Sequence, residues 1–274
     1  MPTIDKLSLD GKVIVVTGAA GYLGEMHVEA IIEAGGIPVL IDINETALSE
    51  VTMRLKEKYS DCSVLAFVKT ITNKGDMLYV KNEILKEFGR IDGLINNACN
   101  NPTMKNEGII GRFEDLEYDE WSLDMEVGLY GAICCSQVFG TYFAENCNGV
   151  IVNISSDLGI VAPNQNLYHI EGRINSQQPK KPVAYSTVKW GLIGLTKYLS
   201  TYWAEQNVRV NALAFGGVYN NQSEIFLSRV EKLIPMRRMA KRDEYKGSII
   251  YMLSDATSYM TGSVVTIDGG RTAW

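Results

Sequence analysis

Short apolar runs rich in β-branched residues alternate along the chain with longer stretches in which apolar residues recur at helical spacing. Seven of the runs have the length and composition of buried strands: 12–17, 37–42, 63–68, 91–95, 149–156, 208–213 and 263–270, the last with its turn. The stretches between them predict helices at 25–34, 45–58, 73–88, 119–145, 185–205, 224–233 and 242–253. Strands that alternate with helices over short connections indicate a parallel sheet.

No internal repeat, low-complexity tract or linker interrupts this alternation. We therefore predict an α/β fold of one domain, residues 1–274. It is a doubly wound Rossmann fold, with a parallel seven-stranded sheet and helices on both faces. A polar segment at about 157–182, rich in Gly and Pro, separates the fifth predicted strand from the next long helix.

Composition and charge narrow the function classes. The 274 residues are 46% hydrophobic, which is enough for a sizeable core. The net charge is −6, and no basic run is present, so we expect no nucleic-acid partner. The first residues lack the apolar region of a signal peptide, and no apolar run approaches the ~18–20 residues of a membrane span. We expect a cytoplasmic protein with no membrane partner.

The five cysteines are an odd number and do not have the spacing of metal ligands. Reduced thiols in a cytosolic protein are the simplest interpretation, and no metal site is predicted.

A glycine-rich turn follows the first predicted strand and leads directly into the first helix. Such glycines allow a tight turn and a close approach of backbone to a pyrophosphate, and the helix N-terminus offers free N–H groups to the anion. The pattern of glycines is weak evidence alone, and the flanking strand and helix strengthen it. The residues expected to bind a dinucleotide here are Gly18, Gly21, Tyr22, Leu23 and Gly24.

The second predicted strand ends in Asp42, 24 residues after Gly18 (42 − 18). A carboxylate there is placed to accept hydrogen bonds from the adenosine ribose and to repel a 2′-phosphate. The next residues, Ile43 and Asn44, include no Arg that would offset this repulsion. Asp42 and Ile43 therefore favour NAD over NADP. Asp42 is also a candidate N-cap for the helix that follows, a role compatible with ribose binding.

Tyr185 and Lys189 stand four residues apart in a predicted helix, so their side chains lie on one face. A phenol of pKa ~10 is a poor base at neutral pH, and a nearby ammonium favours the phenolate. An isolated Tyr-x-x-x-Lys match is usually a surface pair. Ser156 ends the fifth predicted strand, where ligands bind in such sheets; a Ser at this position is otherwise a common turn residue.

These motifs in this order resemble the short-chain dehydrogenase/reductase family over nearly the whole chain. They are the glycine turn at 17–24, Asn96-Asn97-Ala98, the Ser155-Ser156 strand end, Tyr185-x-x-x-Lys189 and the stretch 209–212. The resemblance implies that Tyr185 is the general acid/base, that Lys189 lowers its pKa and holds the nicotinamide ribose, and that Ser156 binds the substrate oxygen.

The resemblance also assigns residues around the cofactor. It implies that Asn96, Asn97 and Ala98 line the nucleotide, that Val218 offers backbone groups to the carboxamide, and that Thr261 lies near the site. It further implies self-association, as a dimer or tetramer, through the helices at about 119–145 and 185–205, whose apolar faces look too large for one domain to bury.

The chain departs from the family pattern at several positions. Tyr22 replaces the middle glycine of the turn, Cys99 replaces a Gly, and Phe215 replaces a Pro. Gly128 stands where many members carry a catalytic Asn that bends a helix and anchors a water. The four-residue catalytic set is therefore incomplete, while Ser156, Tyr185 and Lys189 are intact.

The segment 157–182 is about 16 residues longer than the common family pattern and is expected over the substrate pocket. It carries Tyr168, His169, Arg173, Lys180 and Lys181, which suit a sugar or sugar phosphate. The alternative is a solvated flap without substrate contact. The insertion, the amides at 220–222 and the C-terminal residues 270–274 look most like family members from bacterial surface-sugar and flagellin-modification gene sets.

The sequence therefore predicts an NAD-dependent oxidoreductase that acts on a secondary alcohol or ketone of a small, carbohydrate-like substrate. The alternative is a nucleotide-binding regulatory protein of the same fold with lost turnover, which Gly128 favours. A sugar-nucleotide epimerase or dehydratase would need a larger C-terminal substrate region than this chain has.

Overall fold

The computed structural model describes residues 2–60, 62–100 and 111–274. Seven strands are present in this part of the chain: β1 (Val13–Thr17), β2 (Ile37–Asp42), β3 (Leu65–Val68), β4 (Gly93–Asn96), β5 (Gly149–Ser156), β6 (Val208–Phe215) and β7 (Val264–Ile267). The α-helices are α1 (Gly24–Glu33), α2 (Glu45–Lys58), α3 (Lys74–Phe88), α4 (Tyr118–Glu145), α5 (Val183–Tyr202), α6 (Glu224–Val230) and α7 (Lys246–Leu253).

The strands form one sheet in the order β3-β2-β1-β4-β5-β6-β7, and all neighbouring pairs are parallel. The predicted fold class is therefore confirmed. The chain reverses its direction of travel across the sheet between β1 and β4. In open sheets of this kind, the crevice beyond the carboxyl ends of the strands at that point binds ligands.

Strand β1 is buried over its whole length, and its successive side chains point to opposite faces of the sheet. Ile14 and Val16 pack in a core that includes residues of α1, α2 and α7. Val13 and Val15 pack in the opposite core, with residues of α3, α4 and α5. The continuous apolar run in the sequence follows from this burial on both faces.

Two of the helices begin at asparagine caps. Asn44 accepts a hydrogen bond from the Ala47 N–H, and Asn73 accepts one from the Asp76 N–H. The suggestion that Asp42 caps α2 is therefore wrong, because Asn44 holds that position. Helix α7 begins at Lys246, later than the predicted start at 242, since residues 242–245 form turns.

Helix α4 contains two π-helical segments, Glu126–Tyr130 and Ser136–Gly140. It is the one helix in the described ranges that is long and apolar enough to cross a membrane by length and composition. About half of its most apolar window, 56%, is buried inside the protein. Core helices of globular proteins meet the same criterion, so this helix is weak evidence for a membrane span.

Candidate active site

A cleft of about 840 Å³ lies beyond the carboxyl ends of the strands. Thirteen of the residues that the sequence predicts for catalysis or cofactor binding line it: Gly18, Gly21, Tyr22, Leu23, Gly24, Asp42, Ile43, Asn97, Ala98, Ser156, Tyr185, Lys189 and Val218. Two further expectations from the resemblance are wrong. Asn96 is buried and donates to Ser136 and Asn153, and Thr261 accepts from the Val210 N–H near the start of β6.

The glycine turn between β1 and α1 leaves no room for a side chain at Gly18 or Gly24. Gly18 has a φ of +62°, and a Cβ added there would lie 2.8 Å from the Ala98 Cα. A Cβ on Gly24 would collide with the Gly18 carbonyl. The turn therefore brings bare backbone to the edge of the cleft, where α1 begins at Gly24. This arrangement fits the pyrophosphate of a dinucleotide.

Asn97 holds this turn in place. Its side-chain amide donates to the carbonyls of Thr17 and Gly18, both at 3.0 Å. The Thr17 hydroxyl accepts from the N–H groups of Asn97 and Ala98. The asparagine therefore connects the end of β4 to the end of β1, and its position is fixed before any cofactor binds.

Tyr22, which replaces a family glycine, reaches across the cleft. Its hydroxyl donates to the Tyr219 carbonyl at 2.8 Å, in the loop after β6. The Arg242 guanidinium lies 4.6 Å from the Tyr22 ring centroid, and its Nε donates to the Tyr22 carbonyl. The substitution therefore adds a contact between the glycine turn and the opposite wall.

The loop after β6 is held by aromatic packing and by its own amides. Phe215 stacks on Tyr245 with centroids 4.0 Å apart, and the Tyr245 hydroxyl donates to the Gly216 carbonyl. Phe215 therefore constrains the loop that a proline constrains in the family pattern. The Gln222 side chain donates to the Val218 carbonyl and accepts from the Asn220 N–H. Its amide therefore stabilises the backbone of the loop.

Asp42 lies at the far end of the cleft, at the end of β2. One carboxylate oxygen accepts from the Ala20 N–H of the glycine turn, and the other accepts from the Asn44 N–H, both at 3.0 Å. These two bonds aim the carboxylate at the edge of the cleft. Ile43 beside it is 73% exposed and lines the same end.

Ser156 is part of a buried polar chain. Its hydroxyl donates to Asp157 at 2.8 Å, and the other oxygen of Asp157 accepts from Arg271 Nη1 at 2.6 Å. The Asp157 side chain is 3% exposed and that of Arg271 is 11% exposed. The ion pair thus fixes the direction of the Ser156 hydroxyl. To donate to a ligand, that hydroxyl must leave Asp157, and its oxygen already accepts from the Leu158 N–H at 3.2 Å.

Neither Asp157 nor Arg271 was among the predicted site residues. A signal for Asp157 was present, because it follows Ser156 at the carboxyl end of a buried strand, where ligands bind. Arg271 gave no such signal. It comes from the short 3-10 turn Arg271–Ala273 and lies 114 positions from its partner.

Tyr185 and Lys189 project from the first turns of α5 into the cleft. Lys189 is 4% exposed, and its ammonium donates to the Ile154 carbonyl at 2.8 Å and lies 5.6 Å from the Tyr185 ring centroid. Burial raises the pKa of the Tyr185 phenol above its ordinary value, and a hydrogen bond with Ser156 offsets part of this. Burial therefore acts against the lowering of this pKa that the resemblance implies.

Gly128 packs against α5 without space for a side chain. It lies in the first π-helical segment of α4, so the helix is deformed there. A Cβ at Gly128 would lie 2.6 Å from the Val188 Cγ1. Val188 and Leu192 form an apolar cluster with Leu129 on this side. Apolar packing therefore occupies the place of the family's water-binding asparagine.

We expect Gly128→Asn to destabilise the protein by about 1–3 kcal/mol, as overpacked core substitutions do, without a gain in rate. The reason is the overlap with Val188. Urea denaturation measures the change, and Gly194→Asn is the control on α5, because nothing lies within 4 Å of a Cβ there. Faster turnover in Gly128→Asn would show that the site lacks only the asparagine.

The segment 157–182 is folded against α6. The buried Gln178 side chain accepts from the Ile170 N–H and donates to the carbonyls of Ile170 and Arg173. Arg229 of α6 donates to the His169 carbonyl at 2.6 Å. Leu167 packs in a small core with residues from 230–239. The segment is therefore a structured wall of the cleft.

The polar side chains of this wall face two different spaces. Tyr168 and Lys181 line the cleft, and burial raises the pKa of Tyr168 to about 12. His169, Arg173 and Lys180 line a separate outer pocket of about 160 Å³. The five residues that the sequence grouped together therefore do not act at one place.

Comparison with known proteins agrees with this geometry. The profile of the short chain dehydrogenase family matches residues 12–169, more than half of the chain, and that of enoyl-(acyl carrier protein) reductase matches 173–272. The chain belongs to the short-chain dehydrogenase/reductase family of oxidoreductases.

Three relatives illustrate the range of the family around this chain. The post-translational flagellin modification protein A of Campylobacter coli is 30% identical, over 96% of this chain and 98% of its own. The NADP-dependent mannitol dehydrogenase of Alternaria alternata is 31% identical, over 97% and 94%. The solved structure of an NAD+-bound xylitol dehydrogenase is 25% identical, covers 96% and 99%, and superimposes with a TM-score of 0.78.

Proposed function

We propose that this protein is an NAD-dependent oxidoreductase that transfers a hydride between nicotinamide and a secondary alcohol or ketone of a sugar or sugar-phosphate-like molecule. The observation that carries the proposal is the cleft itself. Ser156, Tyr185 and Lys189 line the same cavity as the bare glycine turn and Asp42.

Each of the three side chains has a role in this proposal. When bound, the nicotinamide supplies the hydride acceptor or donor. Tyr185 exchanges a proton between its hydroxyl and the substrate oxygen. Ser156 holds that oxygen by a hydrogen bond, and the buried Lys189 ammonium binds the nicotinamide ribose and favours the phenolate of Tyr185.

The preference for NAD rests on the Asp42 carboxylate. Its two backbone hydrogen bonds fix it at the cleft edge, where a 2′-phosphate would meet a negative charge. Lys69 also lines this end of the cleft, but its ammonium pairs with Asp76 at 3.1 Å.

We expect Asp42→Ala to weaken NAD binding and to raise the ratio of NADP to NAD affinity by about 10-fold, which corresponds to roughly 1.4 kcal/mol. Removal of the carboxylate takes away both the ribose acceptor and the repulsion. Isothermal titration calorimetry with each nucleotide measures the ratio. Glu45→Ala is the control, since Glu45 is three residues away and outside the cleft. An unchanged ratio would remove the ribose assignment.

The carbohydrate assignment is supported by polar groups at the substrate end and by the relatives. Tyr168, Lys181 and Asn220 line the same cleft as Tyr185. Relatives over nearly the whole chain are named as dehydrogenases of mannitol and xylitol. A polyhydroxylated substrate suits hydroxyl, ammonium and amide side chains, which donate and accept hydrogen bonds.

The test is formation of reduced nicotinamide from NAD and NADP in parallel, against sugars, sugar phosphates, polyols and simple secondary alcohols. Turnover with NAD on one carbohydrate class supports the proposal, and turnover only on simple alcohols contradicts the substrate class. The alternative function is a nucleotide-binding regulatory protein, which the apolar packing at Gly128 favours. Nucleotide binding without turnover on any member of the panel would support that alternative.

We also propose that the protein self-associates through α4 and α5. Large apolar side chains are exposed along these helices, with Tyr130 at 47%, Trp190 at 53% and Tyr198 at 63%. Exposed apolar surface of this kind commonly marks an interface. Sedimentation equilibrium tests the proposal, and a monomer at high concentration would contradict it.

A further inference from the structure

Tyr185 has a lysine on each side of it in the sequence. Lys181 stands four residues before Tyr185, as Lys189 stands four residues after it. The Lys181 ammonium lies 4.1 Å from the centroid of the Tyr185 ring, closer than the 5.6 Å of Lys189. Two cations therefore flank the proposed acid/base, and the nearer one is outside the family's Tyr-x-x-x-Lys motif.

The position of Lys181 is set by the segment 157–182. Its backbone N–H donates to the Gln165 side chain at 2.8 Å, and Pro182 then begins α5 as the N-cap residue. Both ends of the short connection between Lys181 and Tyr185 are thus anchored. The Lys181 ammonium lies over the Tyr185 ring because the folded segment 157–182 fixes the backbone of Lys181. Helical spacing does not explain this position, because Lys181 precedes α5.

Two carboxyl groups near the phenol and Lys181 have partners of their own. Asp157 is paired with Arg271 at 2.6 Å. Asp124 accepts from Asn100 at 2.7 Å, and burial raises the pKa of its carboxyl. Within the described ranges, further groups that interact with Tyr185 or Lys181 include the following: Cys99, Ser156, Tyr168, Lys189 and Tyr245.

We propose that Lys181 is a positioning residue that, together with Lys189, stabilises the phenolate of Tyr185. An ammonium over the face of an aromatic ring is attracted by the ring, and the attraction increases when the ring carries a negative charge. The inference deepens the proposed function and rests on it for the use of the phenolate in turnover.

A second cation near the phenol would offset the effect of burial on Tyr185. Burial raises the pKa of the Tyr185 phenol, so the isolated site favours the neutral form. An opposite charge within ~4–6 Å typically shifts a pKa by about 1–3 units toward the charged form. Lys181 is within this range of the ring.

The direct test is the titration of Tyr185 in the protein saturated with NAD, or with NADP if calorimetry shows a preference for it. Carbon-13-labelled tyrosine provides the signal, and its absence in Tyr185→Phe assigns the resonance. We expect Lys181→Met to raise the pH at which Tyr185 titrates by about one unit or more. Lys181→Arg keeps the charge and should restore most of the shift.

Lys180→Met is the matched control. It removes the same charge from the neighbouring residue, which lines the outer pocket and not the cleft. Its Tyr185 resonance should titrate as in the wild type. The proposal is overturned if Lys181→Met titrates with the wild type, or if Tyr185 stays protonated in the wild type at every pH at which the protein is folded.

The kinetic test uses the pH profile of kcat/KM for substrate oxidation. Lys181→Met should move the midpoint of this profile upward by about one unit, because less phenolate is present at a given pH. An unchanged midpoint contradicts the proposal, whatever the height of the plateau. The titration needs no substrate, so it measures the effect of Lys181 on the phenol even in a protein without turnover. Absence of turnover would contradict only the proposed function.

Discussion

Tyr185→Phe should lower kcat by roughly 10²–10⁴-fold, the range that general acid–base catalysis supplies. The phenylalanine ring fills the same space but has no proton to exchange with the substrate oxygen. Nucleotide binding should be kept, because the glycine turn, Asp42 and Lys189 are unchanged. Steady-state kinetics on the best substrate of the panel and calorimetry with NAD separate the two effects.

The control for this variant is Tyr198→Phe, on the same helix but 63% exposed and outside the cleft. It should retain near-normal kcat. If Tyr185→Phe also retained near-normal kcat with intact NAD binding, Tyr185 would not be the acid/base. A loss of NAD binding equal to the loss of rate would instead assign Tyr185 to the nucleotide.

Arg271→Leu should lower the free energy of unfolding by about 3–5 kcal/mol, the usual effect of removing one partner of a buried ion pair. The Asp157 carboxylate is almost fully buried and would be left without its cation. Guanidinium denaturation, followed by circular dichroism, measures the change. Addition of Asp157→Asn to this variant should restore much of the stability, since the buried charge is then gone.

Lys12→Leu is the matched control, because it breaks an ion pair of the same 2.6 Å length at the surface. Lys12 and Asp255 have side chains that are 22% and 69% exposed, so the loss should stay within about 1 kcal/mol. Equal losses in Arg271→Leu and Lys12→Leu would contradict the buried role of the Asp157–Arg271 pair.

The sequence predicts the fold well because its signals are local. Each strand of the sheet is a short apolar run, and burial on both faces gives the pattern seen in β1. The glycine turn, Asp42 and Ser156 each follow a strand directly, so the parallel topology alone carries them to one edge of the sheet. These residues could therefore be named before the structure was known.

Other parts of the site depend on contacts that no local pattern records. The Asp157–Arg271 pair joins the end of β5 to the last residues of the chain. Tyr22 reaches Tyr219 across 197 positions. Asn96 and Asn97 are neighbours in the sequence, but the alternation along β4 turns Asn96 into the core and leaves Asn97 at the cleft. Only the packed structure decides between two such adjacent amides.

The side-chain hydrogen bonds of Gln165 and Gln178 inside the segment 157–182 bear on the affinity of the cleft for a ligand. A loop that becomes ordered only around its ligand costs free energy at each binding event, through the conformational entropy that it loses. Here Gln165 and Gln178 hold the backbone already, and Arg229 ties it to α6. The wall of the cleft that this segment forms therefore loses little further conformational entropy when a ligand binds beside it.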